Sequence, residues 1–158
     1  MSENFPEPEI GDHPERKVVA LSGDFTMDTR HEIPALWNRF FSQPFDVDTH
    51  IPGAMYGVSY GMDGQGGFSY GVGVEAENPT NLPEGACVIT LSKGTYAVFR
   101  QTGPISGLPG FIDHIYRVWM PASDYTPRHG AMFERYPDDP NNSAESMTYE
   151  IWAPVQSA

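Results

Sequence analysis

AMYG, Ala54 to Gly57, returns later in the chain as AMFE, Ala131 to Glu134, and GFSYGVGVEA (residues 67–76) lies against SMTYEIWAPV (residues 146–155). Self-similarity at this spacing is the mark of a duplicated unit. Each copy reads as strand, helix, strand, strand. In the first, the strand Lys17–Gly23 leads to a helix over residues 31–41, where Ile33, Leu36, Trp37, Phe40 and Phe41 recur at helical spacing and Pro34 falls in the first turn. Strands over residues 54–60 and 67–74 follow, joined by the Gly-rich hairpin loop GMDGQGG at residues 61–67. In the second, residues 86–91 form a short strand and residues 95–100 another. Ile105, Leu108, Phe111, Ile112, Ile115, Tyr116 and Trp119 then make one helical apolar stripe, before strands over residues 132–136 and 147–154.

Two such βαββ modules, residues 17–76 and 86–155, predict an α+β fold. One antiparallel curved sheet carries two helices on one face, with a central pocket where the modules meet. Residues 1–15 read as a loose tail and residues 16–158 as one domain. A chain of 158 residues buries roughly two-thirds of its unfolded surface, enough for one core. Its 15 Pro and 16 Gly favour short strands and turns over a helical bundle.

The net charge of −12 repels phosphate backbones and argues against direct nucleic-acid binding. It suits a cationic ligand, and equally serves plain solubility. Cys87 is the single cysteine, so no internal disulfide forms and a reducing, cytoplasmic setting is expected. No segment reads as a signal peptide or a membrane span. The histidines show no metal-like spacing to one another or to Cys87, and neither a phosphate-binding loop nor a serine-hydrolase elbow occurs, so no metal or cofactor is expected.

Where the repeats differ, the second carries charge. Glu134 stands at the position of Gly57, and Glu150 at that of Gly71. By strand alternation Met132, Glu134 and Tyr136 share one face, and Phe133 and Arg135 the other. If the Phe133 face packs under the helices, Glu134 points to the open side. Glu134 reads either as a surface charge on a strand or as an acid aimed into the pocket. Glu150 reads either as a second pocket acid or as an exposed sheet residue. Tyr56, Phe68, Tyr70 and Tyr149 are strand aromatics, each explicable as ordinary packing and together sufficient for a ligand cage.

The run LSKGTYAVFRQTG, the helix ending in WMPASDY, the FERY strand and the closing YEIWAPV resemble the GyrI-like, or AraC effector-binding, domain family over roughly residues 17–155, with IPALWNRF and MYGVSY compatible in the first half. The resemblance implies a duplicated βαββ fold with an aromatic pocket that takes lipophilic, often cationic, small molecules for sensing or sequestration. A buried glutamate on the FERY strand faces the ligand, which here is Glu134, with Tyr149 and Trp119 as wall residues. Some free-standing members resemble hydrolases of cyclopropane-containing compounds that use a glutamate with a tyrosine, here Glu134 and Tyr149. Members also serve as the sensing half of AraC-type and MerR-type regulators; 158 residues leave no room for a DNA-binding domain as well. A protein partner, including an enzyme inhibited through the acidic surface, or a homodimer stays compatible with the sequence.

Overall fold

The computed structural model describes residues 5–26, 28–42, 45–61, 65–140, 142–143 and 145–158. Its strands are β1 (Glu9–His13), β2 (Arg16–Thr26), β3 (Ala54–Tyr60), β4 (Gly67–Glu75), β5 (Ala86–Leu91), β6 (Gly94–Gly103), β7 (Tyr125–Pro127), β8 (Met132–Pro137) and β9 (Met147–Ser157). Helix α1 spans Ile33–Ser42. Helix α2 (Leu108–His114) runs through a π-helical segment, Ile115–Trp119, into a last α-helical turn, α3 (Met120–Ala122). The π segment ends two residues before Pro121, whose missing N–H removes the α-helical bond to the Arg117 carbonyl. Part of the expected hairpin loop at residues 61–67, namely residues 62–64, lies outside the described residues.

The sheet is antiparallel and runs β1-β6-β9-β8-β3-β4-β2-β5, with β7 added to the end of β9. This order is the duplication in space. With β2, β3 and β4 matched to β6, β8 and β9, it reads alike from either end, and the modules join where β3 pairs β8. The described part of the first fifteen residues is not the loose tail expected: Glu9–His13 pair with β6, Ile10 against Ala97. β1 is thereby the counterpart of β5, which precedes β6 in the chain and pairs with β2. Each module's leading strand crosses to the other module.

Both faces of the sheet are buried. On one, α1 covers Leu21, Tyr70 and Val72, and α2 covers Phe99, Tyr149 and Ile151, with Phe111 and Ile115 buried from the helix side. On the other, Val58, Leu91, Tyr96, Phe133 and Trp152 pack on one another without a helix. This is possible because β5 at one edge and β6 near the other are linked by only Ser92 and Lys93, which curls the sheet around the cluster. Arg128 pins the joint, donating from Nε to the Thr95 carbonyl and from Nη1 to Ser92 Oγ while its guanidinium lies 4.7 Å from the Tyr96 ring centroid.

Candidate functional site

Strand β8 sorts its side chains as alternation demands, but the faces are opposite to the expected arrangement. Phe133 stacks on Trp152 at 5.1 Å in the cluster away from the helices. Glu134 therefore turns to the helix-bearing side, where it is 3% exposed. Its Oε1 accepts two phenol hydrogen bonds, from Tyr70 of β4 at 2.7 Å and from Tyr136 of β8 at 3.1 Å. Trp37 of α1 meets the Tyr136 ring edge-on at 5.3 Å. Both phenols are among the residues packed under the helices.

Among the described residues no salt bridge reaches Glu134. A carboxylate denied water and given only neutral donors holds its proton more tightly. Burial raises the Glu134 carboxyl from its ordinary 4.5 to about 7, against the lowering pull of the two phenol bonds. The phenols move with it: burial first, then the neighbouring Glu134, pushes Tyr70 and Tyr136 well above their usual value. Near neutral pH the site holds one carboxyl divided between its charged and neutral forms.

Room for that acid comes from Gly57, its cross-strand partner on β3. A Cβ there would lie 2.1 Å from the Tyr70 hydroxyl oxygen and 3.0 Å from Glu134 Oε1. The rings of Tyr70 and Tyr136 fill the seam over the carboxylate. The cavity on this side, about 380 Å³, opens beside it, over Met55, Tyr136 and Met147, with Asp138, Asp139 and Asn142 among the residues lining it.

Residues 6–156 match the model of the GyrI-like small molecule binding domain. The chain belongs to the GyrI-like family. Three solved structures share the GyrI-like fold with it. SAV2435, solved bound to tetraphenylphosphonium, is 19% identical with a TM-score of 0.76 and coverage of 95% of this chain and 94% of its own. A putative transcription regulation protein from Staphylococcus aureus MU50 is 20% identical, with a TM-score of 0.69 and coverage of 96% and 99%. The C-terminal domain of EcmrR is 16% identical, with a TM-score of 0.61 and coverage of 97% and 99%. No curated protein sequence matches the chain. No helix among the described residues is long and apolar enough to cross a membrane.

Within the GyrI-like domain the expected site residues separate by face. Tyr70 touches Glu134 directly. Tyr149 shares the helix-bearing side and lies near enough to raise the Tyr136 phenol, but its ring packs on Phe111 and the phenols that reach Glu134 are Tyr70 and Tyr136. Trp119 joins the same cluster, between Phe99 and Tyr125. Phe68 packs against Phe25 under α1. Tyr56 and Glu150 do not join them. The Tyr56 hydroxyl donates to Glu75 Oε1 at 2.8 Å and accepts from Arg135 Nε at 3.2 Å. Glu150, on the same side as Trp152, accepts from Arg100 at 2.9 Å, Arg135 at 3.3 Å and Trp152 Nε1 at 3.0 Å. It is not an exposed sheet residue but a 7% exposed acid already paired with arginine, and it lines a separate cavity of about 350 Å³ between β1 and Trp152, on the face away from Glu134. Tyr136 and Trp37 belong to the site although the sequence reading did not choose them. Alternation did place Tyr136 on the Glu134 face; Trp37 carried no signal beyond its place in an amphipathic stripe.

Proposed function

We propose that this GyrI-like domain binds lipophilic aromatic cations on the helix-bearing side of the β3–β8 seam, with Glu134 as their counter-charge, and so senses or sequesters such compounds in the cytoplasm. The observation that carries the reading is a buried carboxylate held by two phenols and, among the described residues, by no basic side chain. A bare carboxylate in that setting is costly, and a ligand cation relieves the cost where an internal arginine does not. Ring faces supply a further ~0.5–2 kcal/mol per good cation contact, and apolar area the bulk of the affinity. The ligand's rings would take the place now held by Tyr136 against Trp37. The tetraphenylphosphonium bound to SAV2435 is a ligand of this kind.

The test is a titration with tetraphenylphosphonium and with neutral triphenylphosphine oxide, on the parent protein and Glu134→Gln. The parent should prefer the cation and the variant should not. Equal preference in both proteins rejects Glu134 as counter-charge.

A second reading rests on the proton itself. A carboxyl poised near neutrality beside two phenols can act as general acid or base, adding water across a strained electrophilic ring. Turnover of cyclopropane-bearing compounds by the parent, lost in Glu134→Gln, would establish it; no product across a panel would dismiss it.

A further inference from the structure

Glu134 is not the part of this face that a ligand meets first. The cavity beside it is bounded by two flexible thioethers, Met55 of β3 and Met147 of β9, by the Tyr136 ring, by Pro137 at the end of β8, and by Asp138, Asp139 and Pro140, which follow β8 directly. Among the described residues that line it, none is basic. The loop that carries the two aspartates is built: Asn142 donates from Nδ2 to the Pro137 carbonyl and accepts the Thr148 N–H at Oδ1, and the Asp138 N–H bonds the Gly53 carbonyl. Its volume of about 380 Å³ falls within the range of small-molecule sites. Methionine surfaces reshape around varied apolar partners, and acidic groups at a mouth raise the local concentration of cations.

Tyr136 links the cavity to the buried acid. Its ring forms part of the cavity wall, and its hydroxyl donates to Glu134 Oε1. The cavity wall and the buried acid are thus one pleat repeat apart along β8, roughly 7 Å, with one aromatic ring between them.

We infer that the cavity lined by Met55, Met147 and Tyr136 is an outer station for organic cations, gathered by Asp138 and Asp139, from which they pass to the inner acid. This rests on the cation-binding reading above and adds to it a second, separable site. The outer station selects for charge and tolerates shape; the inner one fixes the cation.

Stopped-flow tryptophan fluorescence can separate the two, because Trp37 touches Tyr136. Tetraphenylphosphonium and its anionic isostere tetraphenylborate are mixed with the parent, with Glu134→Gln, and with the double variant Asp138→Asn/Asp139→Asn. Expected for the phosphonium is a fast, concentration-dependent phase in the parent that survives in Glu134→Gln. In the rim variant it slows about tenfold at low salt, and the difference disappears at high salt. Tetraphenylborate should bind faster to the rim variant than to the parent. A third variant, Met147→Trp, fills the cavity and should abolish the fast phase while leaving inner binding at equilibrium. A fast phase indifferent to both the rim charges and the filled cavity overturns the outer station while leaving the inner site standing. A parent that shows no phosphonium response by fluorescence or calorimetry overturns both.

Discussion

Gly57 and Glu134 face each other as a cross-strand pair in the middle of the β3–β8 seam, and the internal repeat makes them equivalent positions. The pseudo-two-fold axis therefore passes between them. An acid on both copies would set two carboxylates against each other in a dry interior. A glycine on one leaves room for a single acid and for the Tyr70 phenol that reaches it. The asymmetry at this pair is what turns a symmetric scaffold into a site with one charge.

Gly57→Ala should damage both stability and site. The added methyl would overlap the Tyr70 hydroxyl, and both the ring and the carboxylate are buried. The expected loss is about 1–3 kcal/mol in urea denaturation. The Tyr70–Glu134 bond should break, with weaker cation binding as its readout.

Glu134 should make the protein less stable as pH rises. The folded carboxyl titrates at about 7 against an ordinary 4.5, so the fold favours the protonated form. The penalty is absent below about pH 4.5, grows between there and about pH 7, and is complete above, on the order of 3 kcal/mol. Denaturation of Glu134→Gln at pH 5 and pH 8 should show that pH slope removed, with the variant the more stable protein at pH 8.

Cation affinity should run the other way. Only the ionised acid pairs with a cation, so below about pH 7 binding must expel a proton. Tetraphenylphosphonium should bind about tenfold more tightly at pH 8 than at pH 6. Calorimetry in two buffers of different ionisation heat should detect the released proton near pH 6. Triphenylphosphine oxide should show neither effect.

Glu150→Gln is the control for facing. It weakens the pairing with Arg100 and Arg135 on the far side of the sheet, and Arg100 is largely solvent-exposed. A stability loss of about 1 kcal/mol is expected, with phosphonium affinity unchanged. A variant that lost the cation would place Glu150 in the site after all.

Removing residues 1–14 should strip β1 from β6 and uncover Trp152, on which His13 packs edge-on at 4.5 Å. A lower melting temperature and concentration-dependent association by size exclusion are expected, because the bared edge of β6 is open to another strand.

The fold was legible because the repeat, the helical stripes and the strand alternation all agree, and because the motifs of the second half follow one another in a family-like order. Glu134 was legible for a narrower reason: it breaks the repeat. Its facing was not, since alternation separates Phe133 from Glu134 without saying which of them the helices cover. Glu150 broke the repeat in the same way and proved to be an arginine-paired residue on the other side, because a charge does not announce its partners. The tail was misread because Glu9–His13 has the composition of a loop; it becomes a strand only by pairing with a β6 edge some eighty positions away, a long-range contact that local pattern does not encode.

The crossing of β1 and β5 has a consequence for how the two copies depend on each other. Cut between residues 77 and 85, the chain would yield two pieces that each carry an outer ribbon meant for the other and lack one of their own. Neither fragment is self-sufficient, so assembly is mutual, and a nicked form should regain its shape only by complementation. The interlock also shelters the central acid from being built by one half alone: Tyr70 arrives from the first copy and Glu134 from the second, so the charge is caged only once both are home.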